Sequence, residues 1–100
     1  MKFYKNLYVG ETIKNPNKVK WKLRLGSIQP MVYVISLSKG RDQLDIYHSG
    51  FLRQKYYKKH PPYIIGISGS YEEAVDIVVK IAQEALQTSG SPDIKKFLFP

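Results

Sequence analysis

Apolar residues along the chain switch between short runs that suit strands and longer stretches at helical spacing. Residues 3–9 (FYKNLYV) are rich in β-branched and aromatic residues and predict a first strand, which Gly10-Glu11-Thr12 breaks. The next segment, 16–25, carries two conflicting signals. Basic and apolar residues alternate strictly from Lys18 onward, which suits a strand with Val19, Trp21, Leu23 and Leu25 on one face. Its ends read instead as helix ends: Asn15 as cap, Pro16 at the first position, cations in the last turn and Gly26 just beyond. Helix is favoured over strand because it supplies a crossover between two strands.

Residues 31–37 (MVYVISL) are nearly continuously apolar, as a central strand covered on both faces would be. Across a polar turn at 38–42, residues 43–48 alternate as a half-exposed strand and complete a hairpin. Ser49 is placed to cap a short helix over 51–57, which Pro61-Pro62 ends before a strand at 63–67. The widest stripe comes last. Ala74, Val75, Ile77, Val78, Ile81, Ala82, Ala85 and Leu86 recur at helical spacing over about 71–88, and Ser89-Gly90-Ser91-Pro92 terminates them. The tail, 90–100, is expected to pack Ile94, Phe97, Leu98 and Phe99 back onto the domain. The sum is a single compact domain over 1–100, α/β in class (mixed α+β). Its order is about β-α-β-β-α-β-α, with a four-stranded mixed sheet packed by helices. Strand order is not written in these local patterns.

The junction at 61–74 holds the most informative motif. A short buried strand runs through Gly66-x-x-Gly69-Ser70 into the long helix, and Ser70 with Glu73 forms a capping box in which Glu73 reaches back to the cap amide. Helix N-termini of this layout can hold an anion, which makes Gly66, Ser68, Gly69 and Ser70 candidate anion ligands. The run is shorter than a dinucleotide fingerprint and lacks the lysine of a P-loop. Glu72 and Glu73 also put two negative charges in the same turn, so a capping turn is the stronger reading.

A chain of 100 residues sustains one core. Without cysteine there are no disulfides and no thiolate metal sites. The two histidines, His48 and His60, have no matched carboxylate spacing, and on a strand Asp45 and His48 point to opposite faces. No metal, no cofactor and no catalytic residue is expected, and a non-enzymatic role follows. The start of the chain lacks the apolar region of a signal peptide, and no apolar run approaches a membrane span, so a cytoplasmic protein without membrane insertion is expected.

The net charge of +8 is unevenly spread: residues 1–60 hold thirteen Lys/Arg against three acids, and residues 61–100 hold three against five. A basic face of this kind attracts polyanions or an acidic protein, or serves solubility alone. Its densest part interleaves cations with rings: Arg53, Lys55, Tyr56, Tyr57, Lys58, Lys59 and Tyr63. Single-stranded nucleic acid is held by such a mixture, cations along the phosphates and rings beneath the bases. Lys14, Lys18 and Lys22 would extend the face along one side of a helix. The leading expectation is a protein-binding or accessory module, whose basic face suits an acidic partner. The alternatives are single-stranded nucleic-acid binding through 53–63 and a small anionic ligand at the 66–70 loop. The run Tyr63-Ile64-Ile65-Gly66-Ile67-Ser68-Gly69-Ser70-Tyr71-Glu72-Glu73-Ala74, preceded by Leu52-x-Gln54-Lys55-Tyr56-Tyr57, resembles small uncharacterised proteins of clostridial-type bacteria. That resemblance implies no activity, cofactor or ligand.

Ser70→Ala is expected to cost about 1 kcal/mol, the usual loss on removing an N-cap. Denaturant melts of the two proteins check it, and coincident curves would mean that the helix starts elsewhere.

Overall fold

The cap signals at 15 and 26 decide the ambiguous segment in favour of helix. In the computed structural model, which describes residues 1–38, 43–91 and 93–100, helix α1 spans Pro16–Leu25. The Asn15 side chain accepts from the Lys18 amide at 3.1 Å, and Gly26 closes the other end at φ 72°. Val19 and Leu23, four residues apart, turn inward, whereas Trp21 and Leu25 stand in solvent. Lys14 precedes the cap, so the expected row of three lysines is reduced on the helix to Lys18 and Lys22.

The class and the element order follow the pattern of the chain. Strand β1 (Lys2–Val9) leads into α1, then β2 (Tyr33–Leu37), β3 (Leu44–His48), a 3-10 turn (Ser49–Arg53), α2 (Lys55–Lys59), β4 (Tyr63–Ser68), α3 (Tyr71–Ser89) and α4 (Ile94–Leu98). The sheet order is β1-β4-β2-β3. β4 runs parallel to β1 and antiparallel to β2, while β2 and β3 form the expected antiparallel pair from Tyr33↔His48 to Leu37↔Leu44. Residues 39–42, most of the polar turn between them, lie outside the described residues, as does Pro92.

Helices cover both faces of the sheet. On one face Ile35 and Ile65 pack against Ala74, Ile77, Ile81 and Ala85 of α3 and against Ile94 and Leu98 of α4. On the other, Val34, Ile64 and Ile67 meet Leu23 of α1 and Leu52 of the 3-10 turn. β4 supplies both faces through a bulge: Ile35 lies opposite Gly66, Ser36 lies opposite Ile64, and Ile65 is the extra residue between them.

Three local expectations change. β2 begins at Tyr33, and Met31 is exposed, because Val32 and Pro30 already belong to the turn that receives Ser49 and His48. Ser49 caps nothing: it is buried with its hydroxyl donating to the Gln29 carbonyl, and the His48 ring takes the Gly50 amide instead. The apolar arc of α3 is wider than the sheet can cover. Ala74, Ile77, Ile81 and Ala85 are buried, whereas Val75, Ala82 and Leu86 face solvent.

Ile81 is fully buried at the centre of the α3 seam. Ile81→Ala is expected to cost roughly 2–5 kcal/mol through lost burial and a residual cavity. Equilibrium unfolding measures this, and a loss below about 1 kcal/mol would contradict the packing.

Candidate functional site

The segment between the 3-10 turn and β4 is rich in rings and cations, and its local geometry sorts them. Helix α2 is five residues, KYYKK. Adjacent helical residues point about 100° apart, so Tyr56 and Tyr57 diverge. Tyr57 turns inward and meets the Tyr47 ring of β3 edge-on, with centroids 5.6 Å apart. Tyr56 turns outward, 58% exposed, edge-on to Tyr57 at 5.1 Å and tilted against His60 at 4.9 Å. Pro61-Pro62 then brings the chain to Tyr63, whose ring rests edge-on against Phe99.

These rings wall a cleft of about 460 Å³, lined by Tyr47, Tyr56, Tyr57, His60, Pro61, Pro62 and Tyr63 together with Ser36, Leu37, Ser38 and Lys95. Beneath it, Asp45 accepts hydrogen bonds from the Ser38 hydroxyl at 2.5 Å and the Tyr47 hydroxyl at 3.3 Å. Burial, reinforced by the neighbouring Tyr57 hydroxyl and the Asp45 charge, pushes the Tyr47 phenol up to about 12, so it stays a neutral donor.

A second cleft, of about 530 Å³, adjoins the first and shares Tyr57 and Pro61 with it. Its other walls are Met1, Leu52 and the end of α1 at Leu23, Leu25 and Gly26, with Arg24, Arg53 and Lys58 as its cations. Arg24 also covers the Phe3 ring at 4.9 Å. No acidic residue lines either cleft among the described residues.

Of the basic-aromatic residues singled out in the sequence, Arg53, Tyr57 and Lys58 converge on the second cleft, and Tyr56, Tyr57 and Tyr63 on the first. Lys55 and Lys59 lie on α2, and Lys18 and Lys22 on α1, outside both linings. Tyr47, Arg24 and Lys95 were not singled out; each arrives from a distant element, and no local pattern marks them. His60 is exposed but belongs to the ring wall.

The glycine loop is built around a carboxylate of the chain itself. The Ser70 hydroxyl accepts from the Glu73 amide at 3.1 Å, as a capping box requires. Glu73 does not return to the Ser70 amide, however. Its carboxylate accepts from the Gly69 amide at 2.8 Å, the Thr12 hydroxyl at 2.7 Å and the Thr12 amide at 3.2 Å. Thr12, in the turn after β1, draws it one residue further. Gly10 and Gly69 make room: a Cβ on Gly10 would lie 2.0 Å from Glu73 Oε1, and one on Gly69 would lie 2.1 Å from Thr12 Oγ1. Of the other candidate anion ligands, Ser68 donates its hydroxyl to the Ser70 carbonyl, and Gly66 lies in β4 beneath Tyr8 and Ile35.

His48 is engaged at both ring nitrogens, accepting the Gly50 amide at Nδ1 and donating from Nε2 to the Pro30 carbonyl at 2.7 Å. Among the described residues no group of three or more His, Asp or Glu is placed to hold a metal ion, and no helix is long and apolar enough to cross a membrane. Comparison of the chain with protein-family models, with curated proteins and with solved structures finds no match.

Partial burial raises the Glu73 carboxyl, but the hydrogen bonds from Gly69, Thr12 and the Glu11 amide outweigh it and leave it below the usual range. A depressed folded value means stability that is present above the unfolded carboxyl value and lost as pH falls through the folded one. Stability of wild type and Glu73→Gln, followed by denaturant melts from neutral to acid pH, should therefore differ near neutrality and converge as pH falls through and below the usual carboxyl range. A constant gap would sink the assignment.

Proposed function

We propose that this chain binds single-stranded nucleic acid without strong sequence preference, stacking bases in the tyrosine cleft and running phosphates across the adjoining basic cleft. One observation carries the reading: a pair of clefts divided by Tyr57 and Pro61, with no acid in their linings among the described residues, ringed by tyrosines on one side and by Arg24, Arg53 and Lys58 on the other. Base stacking tolerates any sequence because every base has a π-face, and cations follow a backbone whose charge repeats along the strand. A cleft of about 460 Å³ is the size of an ordinary small-molecule pocket, roomy enough for a splayed base. Tyr56, the most exposed tyrosine of the wall, is the natural platform. The uncommitted cations at Lys18, Lys22, Lys55 and Lys59 add long-range attraction without belonging to the track.

The reading is tested by titrating a labelled short oligonucleotide at several salt concentrations. Affinity should fall steeply with salt as condensed counterions are released. The double variant Arg53→Gln/Lys58→Gln should flatten the log–log salt slope by about 1.4, at roughly 0.7 per phosphate contact on a single strand. Tyr56→Ala should cost roughly 1–3 kcal/mol with the slope unchanged, because stacking releases no counterions. Absence of binding at tens of micromolar protein in low salt overturns the proposal.

A further inference from the structure

The unburied half of the α3 arc forms a ridge of its own. At about 100° per residue, Tyr71, Val75, Val79, Ala82 and Leu86 fall within one narrow sector of the helix, and Ala74, Ile77, Ile81 and Ala85 fall in the sector facing the sheet. All five ridge residues are exposed, with Tyr71 at 56%, Val79 at 48% and Leu86 at 53%. No charged residue interrupts the ridge. Scattered apolar residues on a surface need no account, but a continuous stripe along a helix of 19 residues marks an interaction site.

We propose that this ridge pairs with the same ridge of a second copy of the chain, the two α3 helices running antiparallel about a two-fold axis beside Val79. The spacing of the ridge is nearly self-complementary under that operation. About an axis between positions 78 and 79, Tyr71 meets Leu86 and Val75 meets Ala82, and Val79 lies within one residue of its own copy, so large opposes medium and small opposes medium along the seam. The polar border agrees. Glu72 and Asp76 flank the first half of the ridge, and Gln83 and Gln87 flank the second. Antiparallel pairing brings Glu72 within two residues of Gln87 and Asp76 within two residues of Gln83, amide donors near carboxylates. Parallel pairing would align the helix dipoles unfavourably and would not bring this polar border onto its own copy. Long-range charge points to the same face. The Lys/Arg excess is confined to residues 1–60, while residues 61–100 hold three Lys/Arg against five acids, so two copies of a +8 chain meet here with least repulsion. None of the ridge residues lines either cleft, so the pairing leaves both open. A seam of one helix is small, and the dimer dissociates on dilution.

The chain contains no cysteine, which makes the axis directly testable. Sedimentation equilibrium should show the mass rising with concentration from the 11.6 kDa chain toward about twice that value. Under mild oxidation Val79→Cys should form a disulfide-linked dimer in preference to Tyr71→Cys, and a mixture of Tyr71→Cys and Leu86→Cys chains should cross-link to a mixed dimer. Val79→Glu should keep the wild-type circular dichroism and sediment as a monomer. The proposal is overturned by a wild-type chain that stays monomeric to several hundred micromolar. It is equally overturned by cross-linking at the same rate in Val79→Cys and Tyr71→Cys, or by a Val79→Glu chain that still associates.

Discussion

The domain depends on β4 being buried on every side. Its residues from Ile64 to Ser68 are inaccessible, its two edges are hydrogen-bonded to β1 and β2, and its two faces feed both halves of the core. A strand in this position must be apolar toward both layers, and the bulge at Ile65 allows it, since Ile64 and Ile67 serve one face and Ile65 the other. The ends of β4 carry the functional consequences. Pro61-Pro62 launches it beside the ring wall, and Ser68-Gly69-Ser70 delivers it directly into α3. The tyrosine cleft and the Glu73 anchor are therefore positioned by the two ends of one six-residue strand.

Local chemistry made much of this legible in advance. Asn15, Pro16 and Gly26 mark α1 more reliably than its alternating pattern, because a helix end must satisfy specific backbone groups while alternation can be met by several conformations. Ser70 at the head of α3 is legible for the same reason. The placement of β4 between β1 and β2 was not legible, nor was the limit on how much of the α3 arc would be covered. Both depend on which surfaces meet, and Val75 and Ile77 carry no local mark that separates the exposed from the buried.

The candidate site divides along the same line. Tyr56, Tyr57, Tyr63, Arg53 and Lys58 stand within one short segment, so their density is visible in the chain. Tyr47 comes from β3, Arg24 from α1 and Lys95 from α4, and only folding joins them to it. Glu73 shows the converse. Its place in a capping box was readable, but its principal partners include Thr12, 61 positions away, so the carboxylate serves the tertiary fold more than its own helix.

The pairing of β1 with β4 fixes an order of assembly. Phe3 has its partner at Ile64, and the Thr12–Glu73 bonds close over a comparable length of chain. Contacts of such high sequence separation form late, after the β2–β3 hairpin and the helices that need only their neighbours. During synthesis β1 emerges before β2, β3 and β4, an aromatic strand waiting for its mate. Lys2, Lys5 and Asn6 are exposed in the finished strand. Before β4 exists they interrupt the apolar run, and they keep the unpaired strand from adding itself to the edge of another nascent chain.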